Sequence, residues 1–108
     1  MKYVVTGGAG FIGSHLVDRL IEQNHEVVIL DSLKTGTRNN LRDKAQESFI
    51  FKDIAMALPQ ELNRICKDAN GIFHMAALPN VQFSVENPIN TINSNLISTA
   101  KMLEVAKK

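Results

Sequence analysis

The chain has 108 residues, of which 44% are hydrophobic and 21% are charged, a composition typical of one globular domain with a buried core. Twelve Lys and Arg residues against eleven Asp and Glu residues give a net charge of +1 without a basic run, which argues against nucleic acid or a membrane surface as partners. The apolar runs are too short to cross a bilayer and the first residues lack the layout of a signal peptide, so we expect a cytoplasmic location.

The first pattern along the chain is a β-branched strand at 2–6 that leads into glycines and then into an amphipathic helix at 11–23. The glycines follow two overlapping spacings, Gly8, Gly10, Gly13 and Gly7, Gly10, Gly13. Glycine lets the backbone approach a phosphate closely, and the free N–H groups at a helix start attract an anion. The block therefore predicts a pyrophosphate cradle, and the alternative is a glycine-rich turn without a ligand.

The second predicted strand, 26–30, is apolar and is followed by Asp31, which lies 18 residues after Gly13. A carboxylate at this point of a dinucleotide-binding fold accepts hydrogen bonds from the ribose hydroxyls and repels a 2′-phosphate, so Asp31 favours NAD over NADP. Two alternatives stay open. Asp31 can also cap a turn or helix after the strand, and the nearby cations of Lys34 and Arg38 can attract a 2′-phosphate.

Strand and helix patterns alternate along the rest of the chain, without internal repeats or an evident linker. They predict further strands at 48–52 and 71–75, and further helices at 38–44, 59–67 and 88–107. Asn24 is expected to end the first helix in the left-handed conformation. The last helix carries an apolar stripe on one face, formed by Ile89, Ile92, Leu96, Ala100 and Leu103.

Four strands joined by helical crossovers must be parallel, and the crossovers are right-handed. The expected fold is therefore α/β, a Rossmann-type parallel sheet of four strands in the order 3-2-1-4, which is an incomplete doubly wound fold. The fourth strand ends in His74-Met75-Ala76-Ala77, at the edge where the ligand crevice of such a sheet opens. The two alanines leave room for a flat cofactor, although tight helix–sheet packing also explains them.

The remaining reactive side chains do not form a recognisable site. The single cysteine, Cys66, has neither a disulfide partner nor zinc-ligand spacing around it, which favours a buried apolar role and predicts no metal site. His15 and His25 have no partner that the sequence identifies, so we assign them structural or surface roles.

Several segments together carry a family resemblance: 6–15, 30–36, 52–54 and 74–77, with single positions at Val81, Ser84, Asn87, Pro88 and Asn95. In these segments the chain resembles the extended short-chain dehydrogenase/reductases, and within them the NAD-dependent nucleotide-sugar epimerase/dehydratase group typified by UDP-glucose 4-epimerase. The resemblance covers all 108 residues.

The resemblance implies contacts between individual residues and NAD. The pyrophosphate would be held by Gly7, Gly10, Phe11, Ile12 and Gly13. The adenosine ribose would be surrounded by Asp31, Ser32, Thr35 and Gly36, with Leu33 also in the cofactor-binding set. Adenine would meet Asp53 and Ile54, and the nicotinamide side would be lined by Met75, Ala76 and Ala77, with Asn95 facing the site. The sugar substrate would first be met at Val81 and Ser84.

One element of the family pattern is missing from the chain. Family members move the sugar hydroxyl proton with a tyrosine, assisted by a lysine four residues later. The one tyrosine here, Tyr3, has Gly7 at that spacing. We therefore expect residues 1–108 to be the amino-terminal portion of an NAD-binding domain, about a third of such a protein, with the catalytic and substrate portions absent and no turnover alone.

The leading interpretation is an NAD-binding fragment of a nucleotide-sugar epimerase, an enzyme that transiently oxidises the sugar with bound NAD. A fragment of a nucleotide-sugar 4,6-dehydratase is the alternative within the same chemistry, and a non-catalytic NAD-sensing or assembly module is the alternative from another class. The open edge of the fourth strand, at Ile72, Phe73 and Met75, together with the apolar stripe, predicts a homo-oligomer.

Overall fold

The computed structural model describes residues 1–33, 36–76, 85–86, 88–89 and 93–107. Its strands are β1 (Lys2–Thr6), β2 (Glu26–Asp31), β3 (Phe49–Phe51) and β4 (Gly71–His74). Its α-helices are α1 (Phe11–Glu22), α2 (Asp43–Gln46), α3 (Pro59–Ile65) and α4 (Ser98–Ala106). Two short 3₁₀ turns lie at Arg38–Asn40 and Ile54–Met56, and a π-helical segment, Asn93–Ile97, leads directly into α4.

The four strands form one parallel sheet in the order β3-β2-β1-β4. Thr6 at the end of β1 stands opposite Leu30 of β2 on one side and His74 of β4 on the other. The carboxyl ends of these strands therefore share one edge of the sheet. The predicted fold class and strand order are confirmed.

Alternate residues of β1 pack in two separate cores, because successive side chains of a strand point to opposite faces of the sheet. Val5 faces a core built with α1 and α2, whose other buried members include Val17 and Ile29. Val4 faces a core built with α3 and α4, which includes Leu62 and Met102. Burying each such aliphatic side chain contributes about 1.5–3 kcal/mol, so the helices are held mainly by these two layers.

The first helix ends as predicted, because Asn24 adopts a left-handed φ of 65° and its N–H donates to the carbonyl oxygen of Ile21. The single helix predicted at 38–44 is wrong. The chain instead forms the 3₁₀ turn, leaves helical geometry at Arg42 with ψ of 165°, and only then enters α2. The cause is tertiary: the Asn40 amide donates to the Ala9 carbonyl oxygen, and Leu41 is buried in the core of α1 and α2.

The predicted stripe on the last helix faces solvent wherever it is described. Leu96 and Leu103 are each 64% exposed, and Ile89 is also exposed, whereas Ile92 lies outside the described residues. The buried face of α4 consists of Ser98, Met102 and Val105. Within the described part of the chain, no helix is both long and apolar enough to cross a membrane.

Candidate cofactor site

The turn after β1 places bare backbone at the carboxyl edge of the sheet. Gly7 has a φ of 70°, and its N–H donates to the carbonyl oxygen of Leu30 at 2.7 Å. A Cβ at position 7 would lie 2.8 Å from the backbone nitrogen of Ala76. Both the positive φ and the close approach of the β4 end require glycine at this position.

The start of α1 packs tightly against the same turn. A Cβ at position 13 would overlap the carbonyl oxygen of Gly7, whereas one at position 10 would meet that oxygen at 3.3 Å. Gly8 borders the same contact, because its Cα would lie 3.0 Å from a Cβ at position 13, and a Cβ at position 8 would itself press on the side chain of Ile29 in the core. Gly7, Gly8 and Gly13 therefore all lie in close contact with their surroundings.

The amino terminus of α1 offers backbone donors to a ligand. Gly10 is the N-cap residue, no side chain caps the helix, and its first turn contains no acidic residue. The first N–H groups of an α-helix have no intrahelical partner, and the helix dipole favours an anion near them. The side chains of Phe11 and Ile12, two of the predicted pyrophosphate residues, are 77% and 66% exposed.

Asp31, at the end of β2, holds the glycine turn with one carboxylate oxygen and the loop after β2 with the other. Oδ2 accepts the N–H of Ala9 at 2.9 Å, and Oδ1 accepts the N–H of Leu33 at 2.7 Å. The second contact confirms the turn-capping alternative. It does not exclude a ribose contact, because a carboxylate has about four acceptor positions and these bonds occupy two.

Other predicted ribose residues lie close to the same turn. Gly36 packs so tightly on Ala9 that a Cβ would lie 2.7 Å from the Ala9 carbonyl oxygen. The Ala9 carbonyl oxygen also accepts the N–H of Thr37. Ser32 is half-buried beside Asp31, and Leu33 has a φ of 61°. The chain after β2 thus folds back over the glycine turn, as a ribose-binding loop would.

The predicted adenine pair follows β3. Asp53 is half-buried and its carbonyl oxygen accepts the N–H of Met56, which starts the 3₁₀ turn. Ile54 is buried in the core of α3 and α4. Its side chain therefore packs in this core and does not face solvent.

An ion pair fixes the loop that follows β3. Lys52 Nζ lies 2.6 Å from Glu61 Oε2, and Glu61 Oε1 accepts the N–H of Leu58 at the start of α3. The hydrogen bond from Lys52, together with that from the Leu58 backbone, lowers the pKa of the Glu61 carboxyl below its ordinary value. The predicted adenine loop is thus anchored at both of its ends.

The end of β4 is joined to the end of β1 by side-chain hydrogen bonds that sequence analysis did not predict. Thr6 is fully buried, and its Oγ1 lies 2.7 Å from His74 Nδ1 and accepts the Ala76 N–H at 3.2 Å. His74 Nε2 lies 3.0 Å from Thr99 Oγ1 at the start of α4. The only signal in the sequence is that Thr6 and His74 each end a strand, at the edge where ligands bind.

The residues predicted for the nicotinamide side are divided between the cleft and the core. Met75 is 39% exposed, while Ala76 packs against the core of α3 and α4, in agreement with the packing alternative. Asn95 is half-buried on the π-helical segment, which packs against the 3₁₀ turn Ile54–Met56. Four predicted positions lie outside the described residues: Thr35, Ala77, Val81 and Ser84.

The other reactive side chains of the described ranges agree with their predicted roles. Cys66 is buried, and burial raises the pKa of its thiol, so it behaves as a small apolar group. His15 Nδ1 lies 2.7 Å from the Phe11 carbonyl oxygen, and His25 makes an edge contact with the Tyr3 ring. Among the residues that the structure describes, no group of three His, Cys, Asp or Glu side chains could hold a metal ion.

Comparison with known proteins decides the family. The sequence model of the NAD dependent epimerase/dehydratase family matches residues 3–108. The chain belongs to this family. The predicted family and its NAD cofactor are thereby confirmed, since this is an NAD-dependent family.

Three relatives show the range of the family. A Methanocaldococcus jannaschii protein provisionally named UDP-glucose 4-epimerase is 47% identical over 106 residues, which are 97% of this chain and 33% of that protein. UDP-glucuronic acid decarboxylase 3 of Arabidopsis thaliana is 38% identical over 112 residues, covering 100% of this chain and 31% of the relative. The Thermus thermophilus UDP-glucose 4-epimerase, solved in complex with NAD, superposes with a TM-score of 0.83 at 36% identity, covering 97% of this chain and 33% of that chain. The chain thus spans about a third of the length of these relatives.

Proposed function

We propose that residues 1–108 are the amino-terminal portion of the NAD-binding domain of a nucleotide-sugar epimerase that resembles UDP-glucose 4-epimerase. The observation that carries this proposal is the joint position of two groups around the glycine turn: the uncapped start of α1 on one side and the Asp31 carboxylate on the other. The first suits a pyrophosphate and the second a ribose diol. The higher identity to the provisional epimerase, 47% against 38% for the decarboxylase, supports epimerisation over the other reactions of the family.

The glycine turn is compact, because a Cβ at Gly7 or Gly13 would collide with backbone atoms. In the proposed complex the N–H groups of Phe11, Ile12 and Gly13 donate to the pyrophosphate. Asp31, with Ser32, Leu33, Thr35 and Gly36, surrounds the adenosine ribose. Adenine lies against Asp53 and Ile54.

The second half of the proposed site lies at the end of β4. Met75, Ala76 and Ala77 line the nicotinamide, and Asn95 faces it from the π-helical segment. NAD, when bound, supplies the group that takes a hydride from a sugar carbon and returns it. Val81 and Ser84 make the first contacts with the sugar nucleotide, and the tyrosine and lysine that move the proton belong to the part of the family fold beyond these residues.

A comparison of NAD(H) and NADP(H) binding tests the proposal. Because Asp31 places a negative charge beside the ribose, we expect NAD(H) to bind at least tenfold more tightly than NADP(H), which corresponds to about 1.4 kcal/mol. Asp31→Asn keeps the size and hydrogen-bonding reach of the side chain but removes its charge, and should abolish most of the preference. Isothermal titration calorimetry with both cofactors measures this.

The matched control is Asp18→Asn on α1, where the half-buried Asp18 contacts Arg42. It should retain the wild-type preference. Equal or tighter binding of NADP(H) by the wild type, or an unchanged preference in Asp31→Asn, would contradict the proposal. Circular dichroism of each variant verifies that the fold is kept.

A further inference from the structure

His74 is the centre of a hydrogen-bonded chain that crosses the carboxyl edge of the sheet. On one side, Thr6 Oγ1 lies 2.7 Å from Nδ1 and receives the Ala76 N–H. On the other side, Thr99 Oγ1 lies 3.0 Å from Nε2, and the Thr99 hydroxyl donates to the carbonyl oxygen of Asn95. The chain therefore connects both strand ends to the π-helical segment.

Only one placement of protons makes every bond in this network and also gives each threonine hydroxyl hydrogen an acceptor. The Thr99 hydroxyl donates its single hydrogen to the carbonyl oxygen of Asn95. Thr99 Oγ1 must therefore accept a hydrogen from His74 Nε2. His74 Nδ1 is then unprotonated and accepts the hydroxyl hydrogen of Thr6. The Thr6 oxygen in turn accepts the Ala76 N–H. The imidazole is thus neutral, with its hydrogen on Nε2.

The bond from Thr99 to Asn95 joins residues four apart at the point where π-helical geometry gives way to α4. A threonine hydroxyl that bonds the carbonyl oxygen four residues earlier bends a helix. Single π-helical turns recur at functional sites, since they reorient one side chain of a helix. His74 holds Thr99 in position for this bond.

We infer that His74 is a positioning residue: by bridging Thr6 and Thr99 as the Nε2–H tautomer, it sets the place of the π-helical segment, and with it Asn95, against the end of β4. The inference rests on the proposed function in that Asn95 and Ala76 border the bound dinucleotide. Loss of the bridge should loosen one wall of the cofactor site without touching the glycine turn.

The surroundings of His74 keep it neutral at pH 7. Burial lowers the pKa of His74 below its ordinary value of 6.5. Charged groups on the elements packed against it are engaged elsewhere: Lys2 on β1 donates to the carbonyl oxygen of Lys67, Lys101 on α4 donates to that of Ala57, and Lys107 pairs with Glu104.

Protonation of His74 would disturb this hydrogen-bonded network at Nδ1. A hydrogen on Nδ1 would displace the hydroxyl hydrogen of Thr6, which would have to rotate away and would lose His74 as its acceptor. Because the pKa of His74 lies below 6.5, the network is complete above that pH and is lost as the pH falls through the lowered pKa. NAD affinity should fall in the same range.

Nitrogen-15 NMR of the imidazole tests the proton placement directly. We expect the Nε2–H tautomer at pH 7.5, a midpoint below 6.5, and an Asn95 amide signal that shifts with the same midpoint. Three results would each overturn the inference. They are the Nδ1–H tautomer, a titration midpoint at or above 6.5, and an Asn95 amide signal that does not shift during the His74 titration. This measurement needs no cofactor, so its result stands even if NAD binding, and with it the proposed function, fails.

Calorimetric NAD titrations at pH 7.5 and pH 5.0 provide the functional readout. Thr99→Val keeps the β-branched shape but removes the hydroxyl, and should weaken NAD binding about three- to tenfold at pH 7.5 and flatten the pH profile. Thr99→Ser restores the hydroxyl and should bind within about twofold of the wild type. His15→Gln and His25→Gln should retain the wild-type profile. An unchanged profile in Thr99→Val, or a profile abolished by His15→Gln instead, would assign the pH dependence to another group and overturn the inference.

Discussion

At the scale of single residues, the site depends on two glycines that no other residue can replace. The pattern of four glycines in the sequence predicts a cradle but fits two spacings equally well. The structure adds the contacts of each position: a Cβ at Gly13 would meet backbone atoms of both Gly7 and Gly8, and a Cβ at Gly8 would press on Ile29 in the core. Asp31 was predictable from its position after a strand, whereas its bonds to Ala9 and Leu33 depend on the folded loop.

Gly13→Ala tests the close approach of α1 to the turn. Helix propensity alone would make alanine more favourable by about 1 kcal/mol. The overlap of its Cβ with the Gly7 carbonyl oxygen reverses the sign, because both partners are backbone. We expect a net loss of about 1–3 kcal/mol in the free energy of unfolding, measured by urea denaturation.

Gly10→Ala is the matched control, since its Cβ would meet the same oxygen at 3.3 Å and needs only a small adjustment. It should cost clearly less than Gly13→Ala. Equal costs for the two variants, or a stabilised Gly13→Ala, would show that helix and turn are not in tight contact.

At the scale of elements, the strands and α1 follow from the sequence because their periodicity and their breakers are local. The predicted helix at 38–44 was less accurate because a contact with a distant residue interrupts it: Asn40 bonds to Ala9. In the helix predicted at 88–107, the contact of Thr99 with His74 lies where π-helical geometry changes to α4. A helical pattern contains no signal for such contacts.

The ion pair between Lys52 and Glu61 gives the start of α3 a pH-dependent contribution. Because the pKa of Glu61 is lowered in the folded protein, its contribution is complete above its ordinary value of 4.5 and is lost as the pH falls through the lowered value. Glu61→Gln should therefore unfold at a lower temperature than the wild type at pH 7, and the difference should be smaller at pH 3. Thermal unfolding followed by circular dichroism measures both.

Glu104→Gln is the control, since Glu104 pairs with Lys107 on the exposed end of α4 and both side chains are 72% exposed. Such pairs contribute little. A Glu61→Gln difference that is the same at both pH values would contradict the assigned role of the carboxylate.

At the scale of the whole molecule, the strand order was predictable because few topologies connect parallel strands through helices. The sequence also predicts an open edge of the sheet at the fourth strand. In the described residues β4 pairs only with β1. Phe73 on β4 is 37% exposed, and Met75 just after β4 is 39% exposed. The stripe residues Leu96 and Leu103 face outward as well. Two uncovered apolar surfaces on one small unit are unusual for a monomer.

We therefore predict that the isolated chain self-associates, through the open edge of β4, through the outward face of α4, or through both. Sedimentation velocity over a concentration series measures the association. Leu103→Glu places a charge on the outward face of α4, and Phe73→Lys places one beside the open edge. Whichever substitution weakens association identifies the surface used.

Met56→Glu is the control, because Met56 is 78% exposed in the 3₁₀ turn, on neither of these surfaces. It should associate like the wild type. A wild-type chain that sediments as a monomer at every concentration would contradict the prediction. Association that persists in the Leu103→Glu, Phe73→Lys double variant would place the contact elsewhere. In either case the apolar stripe would have to be explained without a second copy of the chain.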